Sequence, residues 1–130
     1  MTPMGPGRRG ALVLAAATLA APRLSRAQDA WPSKPVRYIN PYTAGGPTDT
    51  LSRQLCARMS EIAGQQFVVE NRTGSAGIVG NQVIAQSPPD GYTLGLGGIA
   101  THAIAPTLYA RLPFDPQKDF TLVSGMWRLP

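Results

Sequence analysis

Hydrophobic and polar positions along this chain switch repeatedly between a period of two and a period near 3.6. "VRYINPY" (36–42) is rich in β-branched and aromatic residues and predicts a first strand. Leu51, Leu55, Met59 and Ile62 then recur at helical spacing, with Arg53, Arg58 and Glu61 off that stripe and Gly64 as a stop. "QFVVEN" (66–71) predicts a short second strand, and "GIVGNQVIAQS" (77–87) a weaker helix that ends before Pro88-Pro89. "PPDG" is a turn by composition, and "YTLGLGG" (92–98) predicts a third strand. The last stretch, "PTLYARLPFDPQKDFTLVSGMWRLP", predicts a short helical piece, a Pro-bounded link and a fourth strand near Phe120–Ser124. No internal repeat, low-complexity run or coiled-coil heptad interrupts the series.

Strands alternating with helices across short joints predict an α/β fold with a mostly parallel sheet and right-handed crossovers. The carboxyl ends of the strands then share one edge, where "NPYTAGGPTD", "ENRTGSAG" and "GGIATHA" meet. All three joints are rich in glycine and small hydroxyls, and the opposite joints are not. Ligands of open α/β sheets bind outside the carboxyl ends of strands.

The first joint has a plain mechanical reading. With Gly46 as N-cap, Pro47 takes the first helical position, and Asp49 the third, where a carboxylate favours the positive helix end and can bond back. Ala44-Gly45-Gly46 goes beyond what a helix start needs, and lets backbone amides approach an anion. Asp49 itself would repel an anion or receive an amine. The second joint repeats the arrangement with Gly74, Ser75, Ala76 and Gly77 before a helix. Here the dinucleotide fingerprint fails on spacing, the phosphate-binding P-loop lacks its Gly-Lys-Ser/Thr, and the nucleophile elbow fails because Thr73 stands where glycine is required. His102 is the sole histidine, so a histidine–cysteine metal cluster is excluded from this chain. A Ser75–His102 pair with an aspartate is allowed by count, but no spacing favours it. Arg72 is read as a solvated side chain, with pairing to a carboxylate as the sharper option.

Charge changes this picture little. The 130 residues suffice for one ordinary domain, and the formal net charge is +5. Arg8, Arg9, Arg23 and Arg26 lie in the first 27 residues, which hold no acidic residue. From Gln28 onward 8 basic side chains face 7 acidic ones, a net of +1, so nothing indicates a nucleic-acid surface. The leader has a basic start, an apolar stretch from Gly10 to Ala21 and the small-x-small pattern Ser25-Arg26-Ala27, which predicts a signal peptide cleaved after Ala27. About 12 apolar residues cannot cross a bilayer core that needs roughly 20, so the chain is not read as membrane-embedded. Arg8-Arg9 is loosely compatible with the twin-arginine route. The single cysteine, Cys56, rules out an intramolecular disulfide and reads as a small buried apolar side chain.

Taken in order and spacing, "WPSKPVRYINPYTAGGPTD", "VVENRTGSAGIVG", "SPPDGYTLGLGG", "THAIAPTLY" and "LPFDPQKDF" resemble the tripartite tricarboxylate transporter receptors, also called Bug proteins. The match runs from Trp31 to Phe120. The resemblance implies a periplasmic-binding-protein-like fold of two α/β domains that closes over a small carboxylate and presents it to a membrane permease, without a cofactor, a metal or catalysis. It places Tyr42, Thr43, Ala44, Gly45, Gly46, Thr48 and Asp49 along the mouth, where main-chain groups and ordered waters hold the carboxylate. Gly74, Ser75, Ala76 and Gly77, with Gly98, Ala100, Thr101 and His102, complete that half of the pocket.

Thr43 departs from the proline common in the family, and Ala105 from the asparagine. The larger departure is length, since family members continue into a second domain and this chain ends at Pro130. The expectation is therefore a signal peptide (1–27) and an incomplete first lobe (28–130), periplasmic, with no high-affinity ligand when alone. Two alternatives stand beside it: an exported α/β hydrolase using Ser75 and His102, and a truncated product without function.

Overall fold

The computed structural model describes residues 30–127; the expected leader lies outside the described residues. Three strands form a parallel sheet in the order β2-β1-β3, with β1 at Val36–Asn40, β2 at Phe67–Asn71 and β3 at Thr93–Gly95. The strands are shorter than the sequence suggests. β1 stops at Asn40 because Pro41 has no N–H to give the ladder. β3 stops at Gly95, before the glycine pair at 97 and 98.

Helix α1 (Pro47–Ala63) starts at N-cap Gly46 and ends at Gly64 with φ +69°, as its punctuation predicts. Its inward face is rotated from the predicted stripe, of which Leu55 and Met59 stay inside and Leu51 and Ile62 do not. Asp49, Ser52 and Cys56 are buried, and Leu55, Met59 and Ala63 pack on the core, whereas Leu51 and Ile62 are 44% and 72% exposed. The Asp49 carboxylate explains the rotation, since a buried charge must face its hydrogen-bond donors and these lie on the sheet side. Alternation along β1 then divides the interior. Val36 and Tyr38 join Cys56, Phe67 and Leu96 on the α1 face. On the other face Gly95 lets Ile84 of helix α2 (Ile78–Ala85) approach the sheet. A second cluster of Ile78, Ala105 and Phe114 extends this side, with Phe120 and Leu112 half-buried against it.

Cys56 is 2% exposed, and burial pushes its thiol up to about 11. It should resist alkylation by iodoacetamide at pH 8 in the folded chain and react only in denaturant, which mass spectrometry would read. Rapid labelling of folded protein would contradict that burial.

After β3 the chain does not remain a loop. Ala100–Ile104 form a wide helical turn that runs directly into α3 (Ala105–Leu108). The predicted fourth strand is absent. Residues 121–127 pair with no strand among the described residues, and Leu122 and Val123 are 85% and 82% exposed. A strand needs a neighbour to take its N–H and C=O groups, and apolar alternation alone does not supply one. No described helix is long and apolar enough to cross a membrane.

Candidate functional site

Both β1 and β2 end in asparagine, and the parallel register sets Asn40 beside Asn71. Asparagine is a poor strand former, so its place at two aligned strand ends asks for another role. The role is visible in the hydrogen bonds. Asn40 Oδ1 accepts from the Tyr42 N–H at 3.1 Å, and Asn71 Nδ2 donates to the Tyr42 carbonyl at 3.1 Å. Asn71 Nδ2 also donates to Asp49 Oδ1 at 2.8 Å, where Asn40 Nδ2 approaches at 3.4 Å.

Asp49 therefore looks inward. Its other oxygen accepts from Arg53 Nε at 2.8 Å and from the Gly45 N–H at 2.9 Å. The back-bond expected of Asp49 thus reaches one residue before the N-cap. The Arg53 guanidinium, helped by the Gly45 amide and Asn71, holds the Asp49 carboxyl far below the usual carboxylate range. Gly45 sits at φ +79°, and a Gly46 N–H to Thr43 carbonyl bond of 3.3 Å closes the turn before the helix. Thr43, Ala44 and Gly45 are exposed, Tyr42, Gly46 and Thr48 half-buried, and Asp49 buried.

The second loop is strained. Gly74, Ser75, Ala76 and Gly77 all have positive φ, at 137°, 46°, 52° and 96°, which ends in a tight turn before α2. Left-handed backbone at Ser75 and Ala76 costs roughly 1–2 kcal/mol per residue, the kind of strain that gathers at functional loops. A Cβ on Gly77 would lie 3.1 Å from Thr101 Cγ2 and 3.4 Å from Pro41 Cβ, so this glycine is where all three loops meet. Asn81, fully buried, donates from Nδ2 to the Gly77 carbonyl at 3.0 Å, while its Oδ1 has no partner among the described residues.

The third loop is tied in by Thr101 and Tyr42. Thr101 is buried, and its Oγ1 donates to the Gly98 carbonyl at 3.2 Å. The Tyr42 hydroxyl reaches Gly98, 3.6 Å from where a Cβ would stand. Ala100 is half-buried in the same turn. His102 faces elsewhere: its Nδ1 is 2.9 Å from Thr101 Oγ1, and its ring meets Phe120 edge-on at 4.8 Å between centroids. That burial pushes the imidazole below its ordinary value. Ser75 and His102 share no hydrogen bond among the described residues. The structure brings the three loops named from the sequence together around Gly77, and adds Asn40, Asn71, Arg53 and Asn81, whose hydrogen bonds tie those loops in place; of these, the two asparagines at strand ends were the visible signal.

Arg53 and Arg72, which flank the first two loops, are both engaged by carboxylates. Arg72 Nη2 bonds Glu70 Oε2 at 3.1 Å, and Arg37 binds Glu70 through two bonds of 2.7 and 3.0 Å. Arg37 first, then Arg72, lowers the Glu70 carboxyl to about 2. An acid with a lowered folded pKa stabilises the fold above its ordinary value, and that stability disappears as pH falls through the folded value. The thermal midpoint should therefore fall between about pH 4.5 and pH 2, and Glu70→Gln should flatten part of that slope. Identical pH profiles for the two proteins would exclude Glu70 as a source.

Two surface clefts among the described residues lie away from the start of α1 and the Gly74–Gly77 turn. One lies between α1 and β2 around Cys56 and Val68, the other beside His102, Tyr109 and Phe114. The edge itself is an open shelf of main-chain amides, hydroxyls and glycines.

Comparison with known proteins converges on one family. The family model described as tripartite tricarboxylate transporter family receptor matches residues 51–130. The UPF0065 protein in the TAR-I ttuE-ttuC' intergenic region of Agrobacterium vitis is 42% identical over 120 residues, covering 91% of this chain and 34% of the relative. Among solved structures, MatC of Rhodopseudomonas palustris with bound malate is 38% identical with a TM-score of 0.66, covering 70% of this chain and 31% of that one. The R. palustris protein Rpa4515 with adipate is 40% identical with a TM-score of 0.64, covering 67% and 29%. The periplasmic binding protein BugD is 37% identical with a TM-score of 0.65, covering 69% and 30%. The chain spans about a third of the length of the curated relatives it matches.

Proposed function

The chain belongs to the tripartite tricarboxylate transporter receptor family, and from that premise we propose that it is the first lobe (28–130) of an exported receptor for a small carboxylate. The observation that carries the reading is the convergence of three small-residue loops on the carboxyl edge of one parallel sheet, joined at Gly77. Malate and adipate, each held by a similar protein, support a small dicarboxylate as the ligand class. With Arg53 and Arg72 already engaged, the ligand's charge is met by main-chain N–H groups at the start of α1 and by the hydroxyls of Thr43, Thr48 and Ser75. The receptor works in the periplasm, reached through the leader at 1–27, and hands its ligand to the membrane permease of a tripartite transporter. It is a binding protein, with no bond made or broken in the ligand.

One wall of a cleft is present in these residues, and tight binding takes a second surface that removes the carboxylate from water. Residues 28–130 by themselves, titrated with malate, should therefore bind weakly, on the order of millimolar. Amide shifts in an NMR titration should be confined to residues 42–49, 74–77 and 98–102. Shifts centred on the cleft beside Tyr109 instead, or a sub-micromolar affinity, would count against this arrangement.

A further inference from the structure

Polar side chains that hold the first loop from outside gather at the ends of β1 and β2. One side chain there holds the first loop without belonging to it. Asn71 sits on β2, a strand away from loop one, and every one of its polar functions is used across that gap. Its amide nitrogen donates to the Tyr42 carbonyl at 3.1 Å and to Asp49 Oδ1 at 2.8 Å, and its oxygen accepts from Arg53 Nη2 at 3.1 Å. Asp49 in turn holds the Gly45 N–H at 2.9 Å, and Arg53 Nε closes the circuit on Asp49 at 2.8 Å. The exposed turn Thr43–Gly45 is therefore fixed at both ends by groups that trace back to Asn71.

We propose that Asn71 is the positioning residue of the carboxylate mouth, clamping the first loop to the second through Tyr42 and the Asp49–Arg53 pair. This rests on the carboxylate-receptor reading for its consequence, but not for its geometry. Asn71 touches no ligand in this role. It decides where the loop's amides point, and it keeps the Asp49 charge compensated so that an incoming carboxylate is not repelled. It also lies outside both apolar clusters, so its loss should loosen the loop without dissolving the core.

The test uses the full chain and its Asn71→Leu variant, with malate as the probe. Order parameters at Thr43, Ala44 and Gly45 should drop from the rigid range near 0.85 to below about 0.6. Those at Tyr38 and Ile39 should stay unchanged, and the apparent malate affinity should weaken at least about tenfold. Asn71→Asp, of the same size but with no amide donor for the Tyr42 carbonyl or for Asp49, should show both losses as well. A variant whose loop stays as rigid as wild type overturns the proposal. So does one in which Tyr38 and Ile39 loosen as much as the loop, because that is a general structural defect. Should Asn71→Leu fail to fold, Arg53→Gln, at a side chain 54% exposed, makes the same comparison from the other end of the circuit. If wild type ignores malate while the loop still loosens in the variants, the carboxylate reading fails and the clamp stands.

Discussion

Replacing Gly80 with alanine is expected to lower the thermal midpoint of the chain by more than about 10 °C. An added Cβ would stand 2.7 Å from Pro41 Cβ, 2.8 Å from the Arg72 carbonyl oxygen and 2.9 Å from Pro41 Cα. Two of these three atoms are backbone and the third is on a proline ring, so no rotamer change relieves the collision. Either α2 moves away from the sheet, or the ends of β1 and β2 separate. Overpacking of a well-filled contact costs about 1–3 kcal/mol, and this site belongs at the upper end because nothing around it yields. At roughly 4–8 °C per kcal/mol for a domain of this size, the shift is large. Gly125→Ala is the matched control, since a methyl there meets nothing within 4 Å. Thermal unfolding followed by circular dichroism decides the matter. A Gly80→Ala midpoint within about 3 °C of wild type would sink the claim that this glycine sets the helix-to-sheet distance.

The second large effect is expected on binding. Gly77→Val should abolish the malate-induced amide shifts of loops one and three, not only those of loop two. Its φ of +96° is backbone that a β-branched residue rarely adopts, and its Cβ would press on Thr101 Cγ2 and Pro41. The substitution strains the turn and pries the three loops apart at the point where they touch. The core clusters around Val36 and Phe114 do not include Gly77, so the sheet should persist. Gly45→Val provides the contrast. Its φ is also positive, but nothing lies within 4 Å of its Cβ, so only the first loop should respond. A malate response in Gly77→Val equal to wild type would mean that the convergence at this glycine has no bearing on the ligand.

The two asparagines illustrate how far the sequence was legible. "VRYIN" and "VVEN" could each be read as a strand, but that Asn40 and Asn71 stand side by side follows only from the register. Likewise "GGPTD" announced a helix start with an acid at its third position. That the acid turns inward, takes four donors and rotates the helix about its axis depends on residues from another strand. The fourth strand was misread for the complementary reason. "FTLVS" has the composition of a strand, yet among the described residues it finds no neighbour.

Local chemistry thus determined the order of strands and helices, the caps at Gly46 and Gly64, the small-residue loops at the carboxyl edge and the buried character of Cys56. These depend on periodicity and on the backbone freedom of single residues, which a sequence carries in full. The tertiary structure decided which face of α1 is inside, where His102 points, which glycines are wedged between backbones, and that Asn71 holds a loop it is not part of. Each of these depends on a partner distant in the chain, and the free energy of such a contact exists only once folding has brought the partner there.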